Sequence, residues 1–255
     1  WSSCRITVAV MVPLLIGCVL AWRKPTRHHR CHVERIEKSS DTMTDKPIDL
    51  TKDAFVSGAY GLKDSDDAQA FYKLWADDYE GYMVGELGYC SPRLVAERLT
   101  RHLGDTSAEI LDVGCGTGLT SDHLHERGFG NVDGVDLTDE MLGKARARGI
   151  YRNLIRADLT KPIDLPDACY DGMASSGTFT CGHVGPEPFD ELVRLLRPGG
   201  LISFSVHVDI WETQGFKAAL DVLVADGKLV LVEKELDKFF EPLEPAGWFF
   251  VYRRL

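Results

Sequence analysis

From about Asp66 to the carboxyl end, short apolar runs alternate with stretches in which apolar residues recur every three or four positions. The runs predict strands over 109–113, 131–136, 151–157, 170–175, 200–206, 229–233 and 248–252, with helices in most of the gaps between them. Alternation of this kind builds βαβ units, hence a parallel sheet covered on both faces. Ahead of the first strand, Phe71, Trp75, Tyr79 and Tyr82 are spaced 4, 4 and 3 apart, which is one face of a helix. That face either packs on the sheet or reaches over a ligand as a lid. No internal repeat or low-complexity tract interrupts the pattern.

The first 52 residues differ in character. They carry nine Lys/Arg against five Asp/Glu, a net of +4, which leaves −14 for residues 53–255. Residues 6–22 hold no ionisable group besides Cys18, but this run is only 17 residues long and contains Pro13 and Gly17. A spanning helix wants about 20 apolar residues. Three readings stand: a signal anchor, a cleaved signal peptide, or a leader foreign to the mature protein, the last favoured by Trp1 and by the polar run opening at Met43. If the run does anchor, Arg23, Lys24, Arg27 and Arg30 on its carboxyl side place the following domain in the cytosol. His28, His29, Cys31 and His32 lie in a basic, loop-like stretch without a second ligand pair, and no metal site is assigned to them. The expected organisation is a leader at 1–52 and a globular domain at 53–255.

Composition narrows the partners. With 44% hydrophobic and 27% charged residues the chain is an ordinary globular one, and its formal charge of −10 disfavours nucleic acid and other polyanions. Seven cysteines scatter over positions 4, 18, 31, 90, 115, 169 and 181 with no Cys-x-x-Cys. An odd, scattered set suits reduced thiols in a cytoplasmic compartment.

The chemistry concentrates in Glu109-Ile-Leu-Asp-Val-Gly-Cys-Gly-Thr-Gly118, followed by a helical pattern over 119–127 and a stop at Gly128. A strand that runs through three glycines into a helix brings bare backbone amides and a helix amino terminus close to a ligand. A dinucleotide fingerprint would need Gly-x-Gly-x-x-Gly, yet Leu119 stands where its third glycine would fall. The spacing therefore counts against a nicotinamide-dependent oxidoreductase, which is the alternative reading. The next strand ends at Asp136, 24 residues after Asp112, where a carboxylate can accept both hydroxyls of an unphosphorylated ribose; its other role is that of a charge ahead of the helix opening at Thr138. Thr138-Asp-Glu supplies an N-cap and an acidic first turn, and Lys144, Arg146, Arg148 and Gly149 close that helix. Asp158, after the third strand, faces the same crevice and can accept an adenine amine, with Leu137 and Leu159 against the ring.

In that order these features resemble the class I S-adenosylmethionine-dependent methyltransferases. The resemblance rests on Asp112-Val-Gly-Cys-Gly-Thr-Gly118, Asp136, Asp158, the strand Tyr170-Asp-Gly-Met-Ala-Ser-Ser176, and Arg194-Leu-Leu-Arg-Pro-Gly-Gly200 leading into 201–206, and it covers roughly 68–255. Gly128 to Val135, Gly149-Ile-Tyr-Arg-Asn-Leu-Ile155 and Gly177-Thr-Phe-Thr-Cys-Gly-His-Val-Gly-Pro186 are similar to one methyltransferase-like branch of that class, whose acceptor is unassigned. The resemblance implies an α/β, Rossmann-like, seven-stranded, mostly parallel sheet in the order 3-2-1-4-5-7-6, with helices on both faces and an amino-terminal helical lid. It implies S-adenosyl-L-methionine as cofactor, met by Asp112, Gly114, Cys115, Gly116, Gly118, Asp136, Leu137, Met141, Asp158, Leu159 and Ser175, and by Tyr79 from the lid. A relative that binds the cofactor without turnover would carry the same residues.

The candidate base is His183, because it follows the fourth strand, where methyltransferases of this fold place acceptor-facing residues, and imidazole titrates near working pH. Its bland role is to order the loop. His207, at the end of the fifth strand, is a weaker choice, and Cys115 and Cys181 read as packing or loop residues because no basic partner is identifiable. After the fourth strand, enzymes that methylate planar amino nitrogens often carry Asp/Asn-Pro-Pro-Tyr/Phe, whereas this chain has Ser175-Ser-Gly-Thr178. A small molecule is the first choice of acceptor, a protein side chain the second.

Overall fold

The computed structural model describes residues 80–180 and 183–255. The leader, the boundary at 52/53, the aromatic face up to Tyr79, and Cys181 lie outside the described residues. Described chain begins with a π-helical turn at Gly81–Glu86, so the α-helical face drawn through Tyr82 does not continue there. Among the described residues no helix is long and apolar enough to cross a membrane.

Seven strands follow: β1 (Ile110–Val113), β2 (Val132–Asp136), β3 (Asn153–Arg156), β4 (Tyr170–Phe179), β5 (Leu196–His207), β6 (Leu229–Asp237) and β7 (Gly247–Arg254). They form one sheet in the order β3-β2-β1-β4-β5-β7-β6, as the resemblance implies. Pairs β1–β2, β2–β3, β1–β4 and β4–β5 are parallel, and β7 runs antiparallel between β5 and β6. The order reverses between β1 and β4, and in open sheets of this kind the crevice beyond the carboxyl ends of such strands receives the ligand.

Period-two alternation explains the two-sided core. Ile110, Phe249 and Val251 face α1 (Ser91–Leu103) and α2 (Leu119–Glu126), whereas Leu111, Phe250 and Tyr252 face the opposite layer. That second layer includes α4 (Phe189–Leu195), α5 (Val208–Thr213) and α6 (Phe216–Ala225). Phe179 stacks on Phe189 at 5.0 Å and meets Phe204 edge-on at 5.7 Å. Aromatic pairs of this geometry add roughly 0.5–1.5 kcal/mol each beyond area burial. They fix both ends of the stretch that carries His183.

Three strands depart most from the expected spans. Strand β4 continues past Ser175 to Phe179, which pairs with Val206 across a register shift that accommodates Gly177 at φ +77°. Strand β5 begins at Leu196, through the Arg-Pro-Gly-Gly run, and β6 extends to Asp237 because β7 supplies a partner along its whole length. In α3 (Asp139–Arg148), Thr138 occupies the N-cap position but makes no side-chain cap; its hydroxyl donates to Asp136 instead, at 2.9 Å.

Candidate functional site: a nucleoside cavity beyond β1 and β4

A cavity of about 500 Å³ opens at the carboxyl ends of β1, β2 and β4. That volume suits a drug-sized ligand or cofactor. Its floor is the glycine loop. Gly114 has φ +66° and a Cβ there would collide with Thr178, while Gly116 has φ +53° and a Cβ there would meet nothing within 4 Å. The first glycine therefore lets β4 close against the loop, and the second leaves room for a ligand.

Asp136 joins the loop to β2. Its Oδ2 accepts the Gly116 N–H at 2.9 Å, and its Oδ1 accepts the Thr138 N–H and hydroxyl, each at 2.9 Å. Thr117 lines the same wall with its Oγ1 buried and without a hydrogen-bond partner. An orphaned buried hydroxyl costs roughly 1–3 kcal/mol until something pairs with it, so a polar ligand group belongs beside it. On the far side, Asp158 Oδ1 accepts from the Thr160 N–H and hydroxyl at 3.0 and 2.6 Å, and Lys161 reaches its Oδ2 at 2.8 Å. Burial pushes that carboxyl up, but the Lys161 and Thr160 bonds outweigh it and hold the group below the usual carboxylate range.

Gly114, Cys115, Gly116, Asp136, Leu137, Met141, Asp158, Leu159 and His183 thus line one cavity. Asp112 and Ser175 stand behind that wall. Asp112 is fully buried, accepting from Ser121 Oγ at 2.7 Å and Tyr151 Oη at 2.8 Å, and burial pushes its carboxyl up to about 6. Ser175 donates to the Val113 carbonyl at 2.8 Å, tying β4 to β1. Gly118 packs against Arg148 and Tyr151. His207 is also elsewhere, its ring stacked on Phe239 and its Nδ1 accepting the Asp209 N–H at 3.3 Å at the start of α5. The Cys115 thiol is pushed well up by burial, which suits a packing role.

Sequence reasoning missed Tyr89, Thr117, Ser176, Thr178 and Glu187, all of which line the cavity. Tyr89 Oη lies 3.1 Å from Ser176 Oγ, which donates to Ser91 Oγ at 2.8 Å, and Ser91 Oγ lies 3.2 Å from Ser205 Oγ. No local signal announces Tyr89, because its place comes from an antiparallel bridge to Phe240 in the β6–β7 loop. His183 Nδ1 lies 3.1 Å from Thr180 Oγ1, which orients the ring. Among the described residues no group of three His, Cys, Asp or Glu could hold a metal ion.

The Methyltransferase domain family model matches residues 111–204, from β1 into β5. The human protein named Methyltransferase-like protein 27 is 36% identical over 171 residues, covering 66% of this chain and 69% of that protein. The chain belongs to the class I S-adenosylmethionine-dependent methyltransferases. Another relative, the malonyl-[acyl-carrier protein] O-methyltransferase of Pectobacterium atrosepticum, is 35% identical over 142 residues, 56% of this chain and 53% of that enzyme. Among solved structures, the [4+2]-cyclase SpnF superposes with a TM-score of 0.57 at 15% identity, covering 76% of this chain and 97% of that one. The methyltransferase fold is thus shared with a protein named for a different reaction, and the acceptor has to be argued from the site itself.

The cofactor is S-adenosyl-L-methionine, and the residues present fit it. Asp136 Oδ2 suits a ribose hydroxyl, the open face of Gly116 and the orphaned Thr117 hydroxyl suit a polar tail held against the main chain, and Leu137, Met141 and Leu159 supply apolar contact for the base. The nicotinamide alternative is set aside with this assignment.

Proposed function

We propose that this methyltransferase transfers the methyl group of S-adenosylmethionine to a hydroxyl or amine of a small molecule that carries no negative charge, with His183 as the base. The observation that carries the reading is that His183 lines the same cavity as Asp136 and the glycine loop while Thr180 engages its Nδ1. In the tautomer whose Nδ1–H donates to Thr180, Nε2 is the nitrogen that would accept the acceptor's proton. The bound cofactor supplies a sulfonium whose methyl group is already activated toward a nucleophile. The protein's task is then to hold an acceptor atom in line and to keep water out. Tyr89, Ser176 and Thr178 form the wall that does so.

Charge selects the acceptor class. Asp136, Asp158 and Glu187 line the cavity, and among its described lining residues there is no Lys or Arg. The bacterial relative is named for a malonyl acceptor on a carrier protein; with Asp136 and Asp158 on the cofactor side, a malonyl carboxylate here would meet Glu187 and no cationic side chain among the described lining residues. We place the domain in the cytoplasm, a reading supported by Cys90, Cys115 and Cys169 being unbridged.

Incubation with methyl-tritiated S-adenosylmethionine and a metabolite extract tests the proposal. Label should enter a small molecule, and His183→Ala should lower that labelling by about 100-fold or more while cofactor affinity in calorimetry holds within about twofold. Equal labelling by the variant removes His183 from catalysis. Label confined to protein overturns the small-molecule acceptor.

A further inference from the structure

Arg148, in the last turn of α3, stands behind the glycine loop and outside the cavity. Its guanidinium has three partners. Nε donates to the Thr117 carbonyl at 2.5 Å, one terminal nitrogen pairs with Asp122 of α2, and the other lies 2.5 Å from Glu80 Oε1. The partners come from three places: the loop that seats the cofactor, the helix that follows it, and the residue through which the amino-terminal chain enters the described fold.

The fit is specific to arginine at this position. A Cβ on Gly118 would come within 2.8 Å of Arg148 Cδ, so the third glycine of the loop, at φ +101°, is bare to admit this side chain and not the ligand. Three separate N–H directions in one planar fork serve three acceptors, which a lysine ammonium on a flexible stem does less well. Arg148 is only 18% exposed, and Glu80 41%. Thr117 connects this cluster to the site: its side chain lines the cavity with an orphaned hydroxyl, and its own carbonyl is the one that Arg148 grips.

We infer that Arg148 and Glu80 are a positioning pair that fastens the start of the described chain to the back of the glycine loop, so that this attachment and retention of the cofactor strengthen each other. The inference rests on the glycine loop being the seat of S-adenosylmethionine. Linkage makes the effect reciprocal: what the clasp adds to cofactor retention, bound cofactor adds to the clasp. The competing view is that Arg148 is simply a cation at a helix carboxyl end, stabilising the domain without regard to ligand.

Surface plasmon resonance with S-adenosylhomocysteine on the full chain separates the two. Glu80→Ala should speed release of that ligand by about five- to tenfold with association and the ligand-free melting temperature unchanged. Arg148→Ala should speed release at least as much, and the double variant should match Arg148→Ala alone, since the pair acts as a unit. Release unchanged by Glu80→Ala, or multiplicative effects in the double variant, overturns the inference. Asp136→Ala serves as the control for the seat itself: if it binds as tightly as the parent, or the parent does not bind, the cofactor assignment of the loop fails and takes the clasp with it. Loss of melting temperature in Arg148→Ala with Glu80→Ala inert assigns Arg148 to the helix end only.

Discussion

Asp136 is set before any ligand arrives. Three donors from the chain, the Gly116 N–H and the two groups of Thr138, fix both of its oxygens and leave about one acceptor site, on Oδ2, of a residue that lines the cavity. A carboxylate immobilised in this way loses little freedom on binding. Asp136→Ala should therefore weaken S-adenosylmethionine binding by about 2 kcal/mol or more, since buried ribose hydroxyls lose a charged acceptor; unchanged affinity in calorimetry would reject the ribose role. This residue was readable from the sequence because it ends a strand at a set distance from a glycine loop. Ser176 was not. The expectation settled on Ser175, but in a strand neighbouring side chains point to opposite faces, so Ser175 ties β4 to Val113 and Ser176 reaches the cavity. Choosing between them needs the register of β4, and register is a property of the sheet.

The strand, loop and helix from Ile110 to Glu126 form a contiguous unit, whose glycine spacing counted against a dinucleotide and, together with Asp136 and Asp158, carried the resemblance that implied the cofactor. What the spacing did not announce is that the three glycines do different things. Gly114→Ala should act mainly on stability, costing about 1–2 kcal/mol for a left-handed alanine, plus the displacement of Thr178. Gly116→Ala carries similar backbone strain, yet its methyl group would project into the cavity and should act mainly on cofactor affinity. Thermal melts read against calorimetry distinguish the two, and identical profiles would show that the loop is a uniform strained turn. The strand extensions follow pairing across the sheet: β4 continues to meet β5 at Val206, β6 continues along β7, and β5 starts early where Leu196 meets Tyr170 of β4.

Across the whole molecule the sheet order was legible through the resemblance, whereas the meeting of distant segments was not. Tyr89 enters the site because its segment bridges Phe240, more than a hundred residues away along the chain. The fold also stores a pH response. Asp112 is fully buried and its carboxyl is pushed up, by burial first, to about 6, against about 3.9 for a solvated aspartate. The folded state thus holds the proton more tightly than the unfolded one. This contribution to stability is complete below about pH 4 and is lost as pH rises through about 6, amounting to about 3 kcal/mol. Urea midpoints of the parent should fall relative to those of Asp112→Asn between pH 4 and 7; parallel profiles would mean that Asp112 ionises normally. The aromatic cluster has a different kind of consequence. Phe179 and Phe189 anchor the boundaries of the stretch between them in the core, so this short span can diverge while the scaffold on either side stays intact. A lineage could exchange one acceptor for another by rewriting those few positions, and a protein engineer could graft there first.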